Sequence, residues 1–460
     1  MMTSRMYLTL RDLSNFSSLS EKCRIIVLSS FVWMSMGHVY GDNALRDTLT
    51  HENQLVVNAQ LMTRGEIRKG GLPEVNGNIE DRANFIFERS RLSIDFEKTW
   101  LETNLTAQHS SVWGQKGSGS LNIYEAWVKL KTKSGMFAKI GRQELNYDDE
   151  RILGRNDWAM AALSHDVLKL GYEGYGHKAH AILAYNQRAE NIKGGTVYRS
   201  DDGAQPYKTM QTVWYHYDVP RMPLGVSLLF MNIGMEESEA LEPKTEFQQL
   251  FGGYVTFSPR QWNVEGSFYY QTGHDEFSIP IRAFMGSLKA TYRPSTNYSL
   301  FAGYDYLSGD DNPIVPKKGS IGLVQHKTVK GFSTVYGSHH QFYGAMDFFY
   351  VSAYYGGYTP GLQNLFVGGN YSPVKNLSLT ANYHYLSVAS KIPEAKRSLG
   401  HEIELSASYA IMKEARVSMG YSYMHGTSTL ERLQRVEGKN HLQWGWLMLS
   451  VNPRIFTTKW

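Results

Sequence analysis

The chain reads as an all-β protein, a transmembrane antiparallel barrel of about 18 strands, and three observations lead there. Segments of about 10 residues alternate an apolar with a polar face. Tyrosine and tryptophan crowd the ends of the apolar faces, where amphipathic rings suit the lipid headgroup level. Short turns and long links also follow one another along the chain. Composition agrees, since 42 Gly and 30 Tyr in 460 residues fit many strands and turns. Beyond the N-terminal region no stretch of about 18 uncharged apolar residues occurs, which excludes a helical transporter. The 47 Lys and Arg against 43 Asp and Glu leave a net charge of +4, too balanced to imply nucleic-acid binding.

The single cysteine, Cys23, lies between Lys22 and Arg24, ahead of the apolar run Ile25 to Met36. This pattern reads as a secretory signal with cleavage near Val39 or Gly41 and a possible start at Met6; a buried N-terminal helix is the alternative. Residues 1–41 are therefore expected to be extension and signal, and 42–460 one barrel domain. Cleavage would leave no cysteine, so disulfides would not stabilise the exported chain.

Alternation is clear in three segments. Trp262, Val264, Gly266, Phe268 and Tyr270 oppose Asn263, Glu265, Ser267, Tyr269 and Gln271. Leu377, Leu379, Ala381, Tyr383 and Tyr385 oppose Ser378, Thr380, Asn382 and His384. Ile403, Leu405, Ala407, Tyr409 and Ile411 oppose Glu402, Glu404, Ser406 and Ser408. A soluble sandwich also alternates, so the connections decide. Short turns are expected at 134–135, 174–177, 258–261, 293–297, 372–376 and 413–414. Long links are expected at 146–165, 188–208, 309–361, 389–399 and 426–440. Segregation of turns to one rim and loops to the other marks a bacterial outer-membrane barrel, whose closure satisfies every backbone hydrogen bond. Pro453 blurs the end of the last strand, and the final Trp460 suits recognition by outer-membrane assembly machinery.

The run Lys139-Ile140-Gly141-Arg142-Gln143-Glu144-Leu145-Asn146-Tyr147-Asp148-Asp149-Glu150-Arg151-Ile152-Leu153-Gly154 resembles the alginate-export family of outer-membrane barrels. Arg89-Ser90-Arg91-Leu92, Tyr124-Glu125-Ala126-Trp127-Val128, Asn156-Asp157-Trp158 and His165-Asp166 continue the likeness over 89–172. Beyond it only the strand rhythm and the Phe342 to Asp347 run resemble the family. The resemblance implies an 18-stranded channel in the outer membrane of a Gram-negative bacterium. It does not identify the cargo, since some members export an anionic polyuronate and many have no established substrate.

Selectivity resides in inward side chains. Strand phase puts Arg89, Arg91 and Asp95 inward, with Leu92, Ile94 and Phe96 towards lipid. Glu102, Asn104, Glu125, Lys129, Lys169 and Glu173 are also assigned inward. Arg142 and Glu144 share a face with Met136, Ala138 and Ile140, so either the strand leaves the hydrocarbon at Gly141 or a bulge there turns Arg142 inward. The second is the expectation adopted. Guanidiniums suit carboxylate-bearing solutes, but the same charges could pair across strands and merely keep the lumen wet. The acidic segment Asp148, Asp149, Glu150, with Arg151 and Arg155, reads as a constriction loop or as a salt-bridged loop; it lacks the spaced ligands of a calcium site.

No cofactor or metal is expected. His165, His177, His180, His339, His340 and His425 have no compact ligand spacing, and His339-His340 is expected to be a solvated loop feature. The sequence has no Gly-x-Ser-x-Gly motif and no phosphate-cradling loop. The expected function is a monomeric, non-enzymatic pore for anionic or polar saccharides, with outer-membrane lipid and the assembly machinery as partners. An uptake porin, an outer-membrane hydrolase and an adhesin with a plugged lumen are the rival readings.

Overall fold

The computed structural model describes residues 53–70, 82–117, 119–187, 198, 205–236, 244–310, 327–347, 359–392, 395–434 and 441–460. The expected signal and its cleavage positions lie outside these residues. Strands β1 (Gln54–Lys69), β2 (Arg82–Lys98), β3 (Leu101–Val112), β4 (Ser120–Lys131), β5 (Met136–Gln143) and β6 (His165–Gly174) come first. Then follow β7 (His177–Tyr185), β8 (Thr209–Asp218), β9 (Leu224–Glu236), β10 (Thr245–Phe257), β11 (Trp262–His274), β12 (Pro280–Tyr292) and β13 (Tyr298–Leu307). The chain continues through β14 (Leu362–Val374), β15 (Leu377–Ser387), β16 (Ser398–Met412), β17 (Ala415–Gly426), β18 (His441–Val451) and β19 (Arg454–Lys459). A short helix, α1 (Ser428–Gln434), follows β17.

From β1 to β18 each strand pairs antiparallel with its sequence neighbours, and β1 closes the ring against the C-terminal end. Both β18 and β19 pair with β1, interrupted at Asn452-Pro453, so the 19 segments make 18 staves. Proline has no amide hydrogen to donate, which explains the break. The Pro453 carbonyl still accepts from Ala59 N–H at 3.0 Å, carrying the seam past it. The strand number matches the sequence expectation.

Strands alternate as read. Ile403 and Leu405 of β16 are exposed outward, whereas Glu402, next to Ile403, is fully buried. The two rims also separate as expected, with β1 starting and β19 ending on the short-turn rim. The turn at Thr99-Trp100 escaped the sequence reading because it contains no Gly, Pro, Asn or Asp. The links 70–81, 113–119, 237–244 and 275–279 on the other rim were not singled out either.

Polar-inside alternation fails near the long-loop rim. There Ile182, Met210, Met231, Ile233, Leu250, Met285, Leu386 and Met424 point inward and are buried. They form one apolar core with Leu145, Ile152, Leu153, Phe332, Tyr336 and Tyr343, which belong to connecting segments folded into the barrel. Sheet residues can be apolar on both faces where lipid covers one side and a loop covers the other. An arginine at outward Leu405, midway along β16, should destabilise the folded barrel by about 2–4 kcal/mol, whereas Ser406→Arg on the inner face should have a much smaller effect. Urea titration in liposomes, read by heat-modifiable gel mobility, checks the difference.

Candidate functional site: two segments meeting in the lumen

The link from β5 to β6, residues 144–164, crosses the interior and is held from several sides. Trp214 Nε1 on β8 donates to Asp148 at 3.1 Å. Arg151 reaches the opposite wall, with Ser287 Oγ of β12 at 3.1 Å and Asp305 of β13 at 3.2 Å. Asp157 pairs with Arg89 at 3.0 Å and Arg91 at 2.8 Å, both on β2. Arg64 of β1 lies 3.8 Å above the Trp158 ring. Gln108 of β3 donates to the Ala161 carbonyl.

A second segment, residues 327–347 of the link from β13 to β14, docks on the first. Gly154 N–H donates to the Tyr336 carbonyl, Tyr336 N–H to Ile152, and Ser338 N–H to Glu150. Ser338 Oγ also donates to the Glu150 carboxylate at 2.6 Å. Gly337 permits this approach, because a Cβ there would sit 2.2 Å from the Arg151 carbonyl oxygen. Arg151 joins the segments again, donating to Tyr343 Oη at 2.8 Å and pairing with Asp149 at 3.1 Å. The Ala345 and Met346 amides donate to Glu404 and Glu402 of β16. The Phe342–Asp347 run noted in the sequence thus lies against the wall.

The electrostatics follow from this burial. Dehydration works against the Arg151 charge, but Asp305, Tyr343 and Asp149 outweigh it and hold its pKa well above the ordinary value. Burial raises the Asp148 carboxyl, and burial lowers His339, which contacts Thr334. The expectation that His339-His340 is solvated is therefore corrected. The His340 ring stacks on Trp158 at 4.1 Å, pairs with Asp347 at 3.0 Å and meets Trp444 edge-on. Arg64, Trp158 and His340 form a column that exists only because two distant segments meet.

The remaining sequence candidates have distinct surroundings. Arg89 is fully buried and donates to the Asp157 and Ala159 carbonyls, and Arg91 packs 3.9 Å over Tyr124. They anchor a loop. Asp95 accepts from Asn58 and Asn104. Tyr124 is an extra residue in β4, so it and Glu125 both face inward; Tyr124 donates to Glu144, and the Glu144 amide donates to Glu125. Glu173 pairs with His180. Arg155 is exposed and makes no ion pair among the described residues.

Arg142 requires a correction. Gly141 has a φ of +122°, but no register shift accompanies it. Arg142 consequently stays on the outward face of Ile140 and Val128, forming a two-bond fork with Asp166 at 2.7 and 2.8 Å. The first alternative, a strand emerging from hydrocarbon at Gly141, fits this arrangement. No inward guanidinium results.

Lys139 was missed. Lys129, Lys139 and Lys169 stand directly opposite one another on β4, β5 and β6, on the inner face. Lys129 has Glu102 at 3.3 Å, but neither Lys139 nor Lys169 has a carboxylate within ion-pair distance among the described residues. Their contacts are aromatic: Lys139 lies 3.6 Å over Trp127, and Lys169 lies 5.9 Å from Tyr147 and 6.0 Å from Phe137. Strand phase alone would have found Lys139, since it alternates with Ile140. Across the lumen, a cavity of about 320 Å³ is lined by Asp305, His340, Tyr343, His384 and Glu404. Another of about 310 Å³ is lined by Asp148, Asp149, Glu150 and Glu265.

The family model for alginate export matches residues 75–431. Among solved structures, Pseudomonas aeruginosa OpdO is 13% identical with a TM-score of 0.60, covering 87% of this chain and 98% of its own. A BenF-like porin from Pseudomonas fluorescens Pf-5 is 13% identical with a TM-score of 0.58, covering 87% and 99%. Pseudomonas aeruginosa OccK9 (OpdG) is 14% identical with a TM-score of 0.57, covering 88% and 98%. At such identities the likeness is one of fold. No curated protein is significantly similar to this chain.

Arg151→Ala removes the tie between both segments and the wall, leaving buried Asp305 without its guanidinium, a loss of about 3–5 kcal/mol. Gly337→Ala should separate the segments without removing a charge. Each should raise single-channel conductance in planar bilayers, with the larger rise for Arg151→Ala.

Proposed function

The chain belongs to the alginate-export family, and on that premise we propose that this outer-membrane channel conducts anionic or polar saccharides outward past the lysine row. The row carries the proposal. Like charges placed directly opposite one another across strands repel, so three aligned ammonium groups, two with no carboxylate at ion-pair distance among the described residues, are suited to an anion from outside the protein. Trp127 and Phe137 supply ring faces beside these charges, so one stretch of wall offers both charge and a flat apolar surface. A carboxylated sugar presents the complementary pair of features.

Position supports export. The row lies between the short β4–β5 turn and the loop beginning at residue 144, so a solute from the periplasmic rim meets it before the two segments. The crossing is passive on this reading, and the chain is not a hydrolase. It is a monomer delivered by a cleaved signal in 1–41 and inserted as one barrel, 42–460, by the assembly machinery. Arg89 and Arg91 contribute indirectly by holding Asp157.

Reversal potentials in a potassium chloride gradient test this proposal. Wild type should prefer anions and be blocked by short oligouronates. Replacing Lys129, Lys139 and Lys169 by Gln should reduce the preference and weaken block by roughly tenfold, about 1.4 kcal/mol. Cation preference in wild type, or equal block of both proteins, would refute it.

A further inference from the structure

The outer wall carries a second basic row at the long-loop ends of the strands. His401 stands opposite His425, and His425 opposite His441, on β16, β17 and β18. All three are exposed on the outward face, above Ile403 and Leu405 on β16, Met419 and Tyr421 on β17, and Leu447 on β18. On the next staves, Lys69 of β1 and Arg82 of β2 are directly opposite and exposed, and Lys69 is also paired with Gln443 of β18. None of these five residues has an ion-pair partner among the described residues.

Two tyrosines organise the imidazoles. Tyr383 Oη lies 2.6 Å from His401 Nδ1, and Tyr423 Oη lies 2.6 Å from His441 Nδ1. A phenol donating to Nδ1 leaves the neutral ring's proton on Nε2. Protonation adds charge and keeps that Nε2–H donor. His425 Nδ1 lies 3.5 Å from His441 Nδ1, which continues the row. A metal is the weaker occupant, because no group of three or more ligating side chains among the described residues could hold one.

We infer that Lys69, Arg82, His401, His425 and His441 bind the phosphorylated headgroup of an outer-leaflet glycolipid. The charge of the row complements phosphate, and the long-loop rim faces the outer leaflet. The apolar wall continuous with the row accommodates the same lipid's acyl chains, a feature that a soluble anion would not use. The inference requires only the outer-membrane setting and is independent of what crosses the lumen.

Native mass spectrometry of the full chain tests it, from micelles containing phosphatidylcholine and lipid A with two phosphates. Wild type should retain lipid A preferentially, and K69Q/R82Q/H401Q/H425Q/H441Q should lose roughly tenfold or more of that retention. Heat-modifiable gel mobility confirms that both proteins are folded. H401K/H425K/H441K should keep the lipid. Equal retention by the glutamine variant, equal retention of dephosphorylated lipid A, or capture of inorganic phosphate as effective as lipid capture would overturn the inference.

Discussion

Backbone amides in hydrocarbon have no water to bond, and a polypeptide crossing it as strands must pair every one of them with another strand. The seam between β1 and the C-terminal strand meets that requirement here. Met62, Arg64 and Glu66 face Ser450, Met448 and Trp446 across it, and Val57 faces Phe456 beyond the Pro453 break. Once the ring is closed, strand alternation dictates the rest: one set of side chains meets lipid and the other meets whatever fills the middle.

What fills the middle is protein as well as water. Residues 144–164 and 327–347 carry their own backbone polar groups inside the ring, and those groups need partners there. The short ladder between 150–154 and 336–338 supplies several. The wall supplies others through Arg89, Gln108, Glu402 and Glu404. Buried Arg151 reaches both segments and two strands at once. Replacing such a charge by shape alone would leave Asp305 uncompensated in a dehydrated setting.

Strand number, rim asymmetry and outward phase were legible because each is a local pattern of period two or a turn residue between two such patterns. Family membership was legible from the ordered motifs between Arg89 and Asp166. Long-range contacts were not. Arg89 and Asp157 are 68 residues apart, and nothing at either position specifies that the charges neutralise one another. His340 looked like a loop residue because loops are usually wet, but this loop packs on Trp158. Arg142 was misplaced because its sharing a face with Met136, Ala138 and Ile140 suggested a bulge at Gly141, whereas register on both sides runs through that glycine unbroken. Apolar residues inside the upper barrel could be explained only once the segments covering them were located.

The two basic rows illustrate how one alternation serves two environments. Lysines on the inner face of β4–β6 meet the channel, and the histidine row on the outer face of β16–β18 meets the membrane surface. The distinction depends on phase alone. Spin labels placed singly at 402 to 410 in liposomes measure it directly, using collision with oxygen from lipid and with a nickel chelate from water. The account requires oxygen accessibility to peak at 403, 405, 407 and 409 and to fall at the positions between. A profile without that two-residue period, or uniformly high nickel accessibility along the segment, would contradict a lipid-embedded barrel wall.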